Sequence, residues 1–514
     1  MAMTTGCGDR EQWGSRIGFV MAAAGSAVGL GNIWSFPYLA GKHGGAAFLL
    51  LYLSCVVLVG LPVMLTELII GRRAEKNPVG AYAALKPGTP WYLVGGMGVA
   101  AGFIILSFYS VVAGWVLGYF VESLFGVLGR LENAEALSTY FDNFAANPWK
   151  AVGYHFAFIG LCVMIVIQGV RGGIERWSKI LMPVLFLLLF ILVLRGLTLP
   201  GSSGGVRFLF APDWSKLNAE TFMAALGQAC FTLSIGMGAM ITYGSYMSRR
   251  DNLPCATLQV SAMDTFIALL AGMAIFPAVF ALGLQPGEGP GLLFKTLPSV
   301  FNQLPGGGIF SSLFFFLVVI AAITSGISLL EVVTAYMVDE RGMSRRQAAV
   351  IFGGVIFLLG IPSALSSGAS DFFTHFTARV GGLVGLGSPG GAGMSFFDFA
   401  FHISADYMLP LGSFLCCIFI GWAVGKRIAV AEVRDGNPAF PTAPIWIFLV
   451  RYLAPFLVGQ ILLFGILGEF RTAAVSAFSS SLMSLMVKLD VALAVIFFLV
   501  SAWYLIFGRQ RGRP

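Results

Sequence analysis

Charge is what this chain has least of. Across 514 residues only 11% are Asp, Glu, Lys or Arg, against 57% hydrophobic, which leaves too little polar surface to cover a soluble body of this size. Histidine is scarce as well, with four in all, and no HExxH or CxxC spacing occurs, so the familiar zinc patterns are excluded. The seven cysteines are odd in number and mostly lie inside apolar runs, which implies no disulfide framework. The 31 Lys and Arg outnumber the 24 Asp and Glu, yet they fall between apolar runs rather than in one patch, so no nucleic-acid partner is expected. No nucleophile–base pair stands out, and the chain does not read as an enzyme. Polar residues precede the first apolar run, so a cleavable signal peptide is not expected.

What is present is twelve apolar stretches, at about 16–41, 44–70, 91–124, 151–170, 176–197, 219–247, 256–285, 308–338, 346–366, 397–425, 444–469 and 486–508. Each reaches the roughly 20 residues that cross about 30 Å of hydrocarbon. With the N-terminus in the cytoplasm, the segments on that side hold 20 Lys and Arg and those opposite hold ten, Arg451 at the edge of span 11 being left unassigned. That bias predicts a multi-pass protein of the cell inner (plasma) membrane with both termini cytoplasmic. The glycine-rich loop 379–395, with Pro389, reads as an outer lid.

Two spans are interrupted alike. Span 1 carries Gly25-Ser26-Ala27-Val28-Gly29-Leu30-Gly31-Asn32 at mid-depth, and span 6 carries Thr232-Leu233-Ser234-Ile235-Gly236-Met237-Gly238. Glycine at that density weakens a helix by about 1 kcal/mol per residue and frees backbone groups that lipid cannot satisfy. Small residues also serve close helix packing, but interruptions matched five spans apart fit an inverted repeat, whose broken helices hold substrate and ions. The expectation is an all-α membrane protein of 12 transmembrane helices, a 5+5 inverted repeat with discontinuous helices 1 and 6. Its parts are a cytoplasmic N-terminal segment (1–15), a first repeat (16–200, helices 1–5), a second repeat (201–435, helices 6–10), and helices 11 and 12 with a short cytoplasmic tail (436–514).

The stretch Trp13 to Pro37, WGSRIGFVMAAAGSAVGLGNIWSFP, resembles the first-helix signature of the neurotransmitter:sodium symporter family, most like its bacterial sodium-coupled amino-acid transporters. GQACFTLSIGMGAMITYGSY (Gly227 to Tyr246), AAITSGISLLE (Ala321 to Glu331), FFD with LPLG (Phe396 to Asp398, Leu409 to Gly412) and VRYLAP in span 11 extend the likeness over almost the whole chain in order. The resemblance implies a sodium-coupled symporter that imports a neutral amino acid by alternating access.

A substrate carboxylate suits the unpaired N–H groups at Gly29, Leu30 and Gly31, which sit at a positive half-helix end. The resemblance places it there, on a sodium ion and on the hydroxyl of Tyr109; by itself a membrane tyrosine equally suits interfacial packing. It also implies two sodium ions and no organic cofactor. Site one would use the Ala27 and Thr232 carbonyls, the Thr232 hydroxyl, Asn32 and Asp264. Site two would use carbonyls of Gly25, Val28 and Ala321 with the hydroxyls of Thr324 and Ser325, although adjacent Thr and Ser in a membrane helix also bond back to the preceding turn. The side-chain pocket would be lined by Ile105, Phe231, Ser234, Met237 and Leu329, and Ala27, Thr232 and Ser325 are also expected against the substrate. Relatives that carry monoamines place an aspartate where this chain has Gly29, so the substrate is expected to be a hydrophobic or aromatic α-amino acid with its own carboxylate.

Asp264 is a carboxylate inside a span, a functional candidate on that ground alone. Spans 6 to 8 hold no interior Lys or Arg to pair with it. The family often has asparagine there, and its chloride-dependent members place an anion nearby; an intrinsic carboxylate implies chloride-independent transport, or proton exchange when sodium leaves. Glu67 and Glu331 read as members of polar networks between helices. By alignment Arg10 and Asp339 form an inner gate beside Trp13 and Tyr246. The outer gate departs from the pattern: Ser35 stands where the family has arginine, and Phe401 where its acidic partner is expected. Outer closure is then expected to rest on aromatic packing. The other readings left open are a proton-coupled carrier or channel on the same scaffold, and a sodium symporter for a non-standard amino-acid-like solute. Membrane lipid and a small amino acid are the expected partners; the sequence does not fix an oligomeric state.

Overall fold

A computed structural model describes residues 10–131, 133–283, 291–383, 393–436 and 440–469. Among the described residues every regular element is a helix. Among these residues nine helices are long and apolar enough to cross a membrane: Ala46–Ala74, Tyr92–Leu124, Pro148–Val166, Val170–Leu197, Leu253–Ala281, Gly307–Arg341, Arg345–Leu365, Phe396–Val424 and Ala443–Gly465. A tenth crossing is the bent pair Arg16–Ala27 and Gly31–Lys42, which meet at 51°. An eleventh lies between the fourth and fifth of those nine as two pieces, Ala219–Thr232 and Ala239–Gly244. These are spans 1 to 11 of the sequence reading, with both expected breaks. The twelfth span, 486–508, lies outside the described residues, as do residues 384–392 of the expected lid.

Proline explains much of the helix irregularity. Five π-helical turns, Gly31–Ser35, Val56–Gly60, Leu292–Thr296, His402–Met408 and Leu449–Leu453, each end two residues before a proline: Pro37, Pro62, Pro298, Pro410 and Pro455. A proline gives no N–H to the ladder and its ring crowds the carbonyl one turn back, and a wider turn absorbs the misfit. Where the sequence reading had only loops, the structure adds helices between spans, at Ala134–Ala146, Ser203–Phe210 and Leu297–Asn302. The first begins at Asn133, whose side chain accepts from Ala136 N–H, an ordinary N-cap.

Spans 1, 3, 6 and 8 surround the centre. Span 3 and span 8 are the most buried of the long helices, each 83% buried over its most apolar window. Span 5 and span 9, at 39%, present large apolar side chains outward, such as Leu187, Phe190, Ile351 and Leu358. Hydrocarbon-facing apolar surface of this kind is what a bilayer, not water, accommodates.

Candidate functional site between two broken helices

The break in span 1 covers Val28 to Leu30. Val28 N–H still reaches Ala24 O at 2.7 Å, but Gly29 N–H turns to the side chain of Asn32 at 3.1 Å. The break in span 6 runs from Leu233 to Gly238. Ser234 there has φ 52°, a left-handed value, and its hydroxyl donates to Ser26 O at 2.9 Å. One side chain thus ties one broken helix to the other. Glu67 in span 2 braces the second break, its Oε1 accepting from Gly236 N–H at 2.6 Å, while its Oε2 is buried without a partner among the described residues.

A small cavity lies between the breaks. All twelve residues expected around a substrate line it: Ala27, Gly29, Leu30 and Gly31 from span 1, Ile105 and Tyr109 from span 3, Phe231, Thr232, Ser234 and Met237 from span 6, and Ser325 and Leu329 from span 8. Ser26 and Ser328 line it too and were absent from the sequence reading. They bond to each other at 2.8 Å, a contact across 302 residues that no local pattern announces. The Tyr109 hydroxyl is buried and, among the described residues, has no hydrogen-bond partner. It faces the first break: a Cβ built on Gly29 would lie 3.1 Å from that hydroxyl and 2.5 Å from Ser325 Oγ.

Two clusters of oxygen adjoin the cavity. In one, the Ser325 hydroxyl lies 3.4 Å from Gly25 O, 3.1 Å from Ser26 O and 3.3 Å from Val28 O. Thr324 Oγ1 donates back to Ala321 O at 3.0 Å. A single hydroxyl proton cannot satisfy three carbonyls, so this group of oxygens is electron-rich and suited to a hard cation. In the other, Asp264 is fully buried. Its Oδ1 accepts from Asn32 Nδ2 at 2.8 Å and from Thr232 Oγ1 at 3.0 Å. Its Oδ2 accepts from Tyr52 OH at 3.3 Å; Tyr52 is a partner the sequence reading missed. No cationic side chain meets this carboxylate among the described residues, in keeping with the absence of Lys and Arg from the surrounding spans. Among the described residues no three His, Cys, Asp or Glu come together as a transition-metal site.

On the side of the N-terminus, Arg10 Nη1 meets Asp339 Oδ2 at 2.6 Å, and its guanidinium lies 4.8 Å from the Tyr246 ring centroid. Trp13 donates to Tyr243 O at 3.0 Å and packs edge-on against Tyr246. Glu331 is buried on a pair with Arg345 at 2.7 Å and accepts from Tyr246 OH at 2.6 Å, the polar network anticipated for it. On the opposite side Ser35 Oγ donates to Gln228 Oε1 at 2.8 Å, and Gln228 Nε2 donates to Gly31 O at 2.8 Å. Phe401 packs instead on aromatic rings, with centroids 5.8 Å from Phe108 and 6.4 Å from Phe231.

The model of the sodium:neurotransmitter symporter family matches residues 10–131 and 131–386. An uncharacterized sodium-dependent transporter of Bacillus subtilis, YhdH, is 42% identical over 448 residues, covering 86% of this chain and 95% of the relative. The chain belongs to the sodium:neurotransmitter symporter family. A second uncharacterized sodium-dependent transporter, from Haemophilus influenzae, is 35% identical over 467 residues, 89% of this chain and 98% of its own length. Among solved structures, the crystal structure of MhsT in complex with L-phenylalanine superposes with a TM-score of 0.79 at 46% identity, over 88% of this chain and 99% of MhsT. The protein is therefore a sodium-dependent membrane transporter of helical, broken-span architecture, and not an enzyme.

Proposed function

We propose that this symporter imports a neutral hydrophobic or aromatic α-amino acid together with two sodium ions, without chloride. The observation that carries this reading is the cavity itself, in which an apolar floor of Ile105, Phe231, Met237 and Leu329 meets the freed backbone of Gly29 to Gly31. The amides and the unpartnered Tyr109 hydroxyl supply donors for a carboxylate. Met237 has the flexible side chain that adapts to bulky groups. That MhsT was solved with L-phenylalanine supports the same substrate class.

In this reading the sodium ions are cargo. One is held by Ala27, Asn32, Thr232 and Asp264, the other by Gly25, Val28, Ala321, Thr324 and Ser325. A sodium ion beside the carboxylate site raises affinity for the amino acid, and the amino acid raises affinity for sodium by the same factor. The membrane potential adds about 2.3 kcal/mol per charge per 100 mV to inward movement. Asp264 supplies the negative charge that would otherwise call for an anion. Residues 16–200 and 201–435 form the two repeats that rock around the site, with both termini at the cytoplasmic face of the inner membrane.

The test is uptake of a panel of radiolabelled amino acids into proteoliposomes, with and without an inward sodium gradient, in chloride or gluconate. Accumulation of phenylalanine-like substrates that needs sodium and ignores chloride is the expected result. Loss of uptake in gluconate overturns chloride independence, and uptake indifferent to sodium overturns the two-ion coupling.

A further inference from the structure

Arg451 stands near the first edge of span 11, eight residues from its start at Ala443, and among the described residues it joins no ion pair; its Nε is buried without an acceptor. Its guanidinium lies against two rings, with Cζ 4.5 Å from the Trp422 centroid and 5.8 Å from that of Tyr452. Close approach of spans 10 and 11 fixes its stem, since a Cβ at Gly421 would lie 3.0 Å from Arg451 Cγ. Trp422 Nε1 donates to the carbonyl of Arg451 at 3.4 Å. Both rings are about half exposed, Trp422 at 54% and Tyr452 at 51%. The buried acid of the short helix Lys426–Gly436 between spans 10 and 11, Glu432, is taken up by Arg72 and Arg73.

An arginine in an apolar span is costly unless an anion meets it. Ring faces attract the cation but offer no acceptor to a group that carries five N–H donors. We infer that Arg451, flanked by Trp422 and Tyr452, binds the phosphate of an anionic phospholipid headgroup. A guanidinium fork matches phosphate oxygens in bidentate fashion. Trp422 is two residues from the end of span 10 at Val424, the depth at which aromatic side chains meet headgroups. Exposed Lys426 and Arg427 follow at once and add to the attraction for an anionic leaflet. The exposed rings lie on a lipid-facing side of two spans, which favours a lipid over a soluble phosphate. The site is independent of the amino-acid reading; the proposed orientation decides only that the leaflet is the cytoplasmic one.

The full-length protein is reconstituted in mixed phosphatidylcholine and phosphatidylglycerol, and retained lipid is counted by native mass spectrometry. The wild type is expected to retain phosphatidylglycerol over phosphatidylcholine. Arg451→Gln is expected to lose about fivefold of that preference, equivalent to about 1 kcal/mol for one cation near an anionic surface, and Arg451→Lys to keep part of it. Trp422→Leu leaves the charge in place and is expected to weaken retention, so the proposal stays testable if Arg451→Gln does not fold. Equal phosphatidylglycerol retention by the wild type and these variants overturns it. Displacement by millimolar inorganic phosphate overturns the lipid as the occupant, and a dimer lost in Arg451→Gln with lipid retention unchanged makes the patch a protomer contact instead.

Discussion

A carboxylate at position 264 has three neutral donors around it, Asn32, Thr232 and Tyr52, and none of them neutralises its charge. A cation that binds beside it therefore gains more than hydrogen bonding supplies. Asp264→Asn keeps a coordinating oxygen but removes the charge, and the expected outcome is at least about a tenfold higher sodium requirement, a change of about 1.4 kcal/mol. Chloride is expected to stimulate the variant and not the wild type, which sodium titrations of uptake in chloride and gluconate measure. Gly29 makes a second residue-scale case. A methyl there would sit 2.5 Å from Ser325 Oγ and 3.1 Å from Tyr109 OH, in the space assigned to the substrate carboxylate. Gly29→Ala is expected to lower substrate affinity at least about tenfold with little change in melting temperature, read by equilibrium binding beside a thermal scan. Gly29 was legible because it stands in a glycine-dense break, and Asp264 because a carboxylate inside an apolar span marks itself. Tyr52, Ser26, Ser328 and Gln228 were not, since what gives each its role is a partner about 200 to 300 residues away in the chain.

At the scale of elements, the two breaks were readable from glycine density, but what holds them open was not. Gly236 has φ +83°, and a Cβ there would run into Leu409 O of span 10, so the break depends on a backbone that only glycine adopts at low cost. Its N–H is satisfied by Glu67, 169 residues earlier. Removing that acceptor strands a buried donor, which costs about 1–3 kcal/mol. Glu67→Ala is accordingly expected to lower the melting temperature of the detergent-purified protein, with Glu67→Gln, which keeps an acceptor oxygen, falling between it and the wild type. Unchanged melting in Glu67→Ala would show that the second break is held by span 10 alone. The short helices between spans escaped the sequence reading for a different reason. They are 6 to 13 residues long, too short for the hydrophobic runs by which the spans announce themselves.

For the whole molecule, alternating access needs both ends to close, and the two ends are built differently. We propose that the inner end closes on charge, through the pair of Arg10 and Asp339, which are only partly exposed, at 17% and 19% of their side chains. The outer end has a neutral link from Ser35 through Gln228 to the Gly31 carbonyl, beside the rings of Phe108, Phe231 and Phe401. An arginine introduced at position 35 would displace that link and bring a cation toward these rings rather than toward an acid; stranding a buried charge costs about 3–5 kcal/mol. Ser35→Arg alone is therefore expected to impair sodium-driven uptake by an order of magnitude or more. Ser35→Arg combined with Phe401→Asp gives the cation a partner and is expected to recover part of the loss, though not all, because it also removes a ring from the aromatic cover. Initial rates for the wild type, both single variants and the double variant form a complete cycle. Additive losses in that cycle would mean that positions 35 and 401 act separately, and that the outer end closes through Gln228 without help from the aromatic side chain across from it.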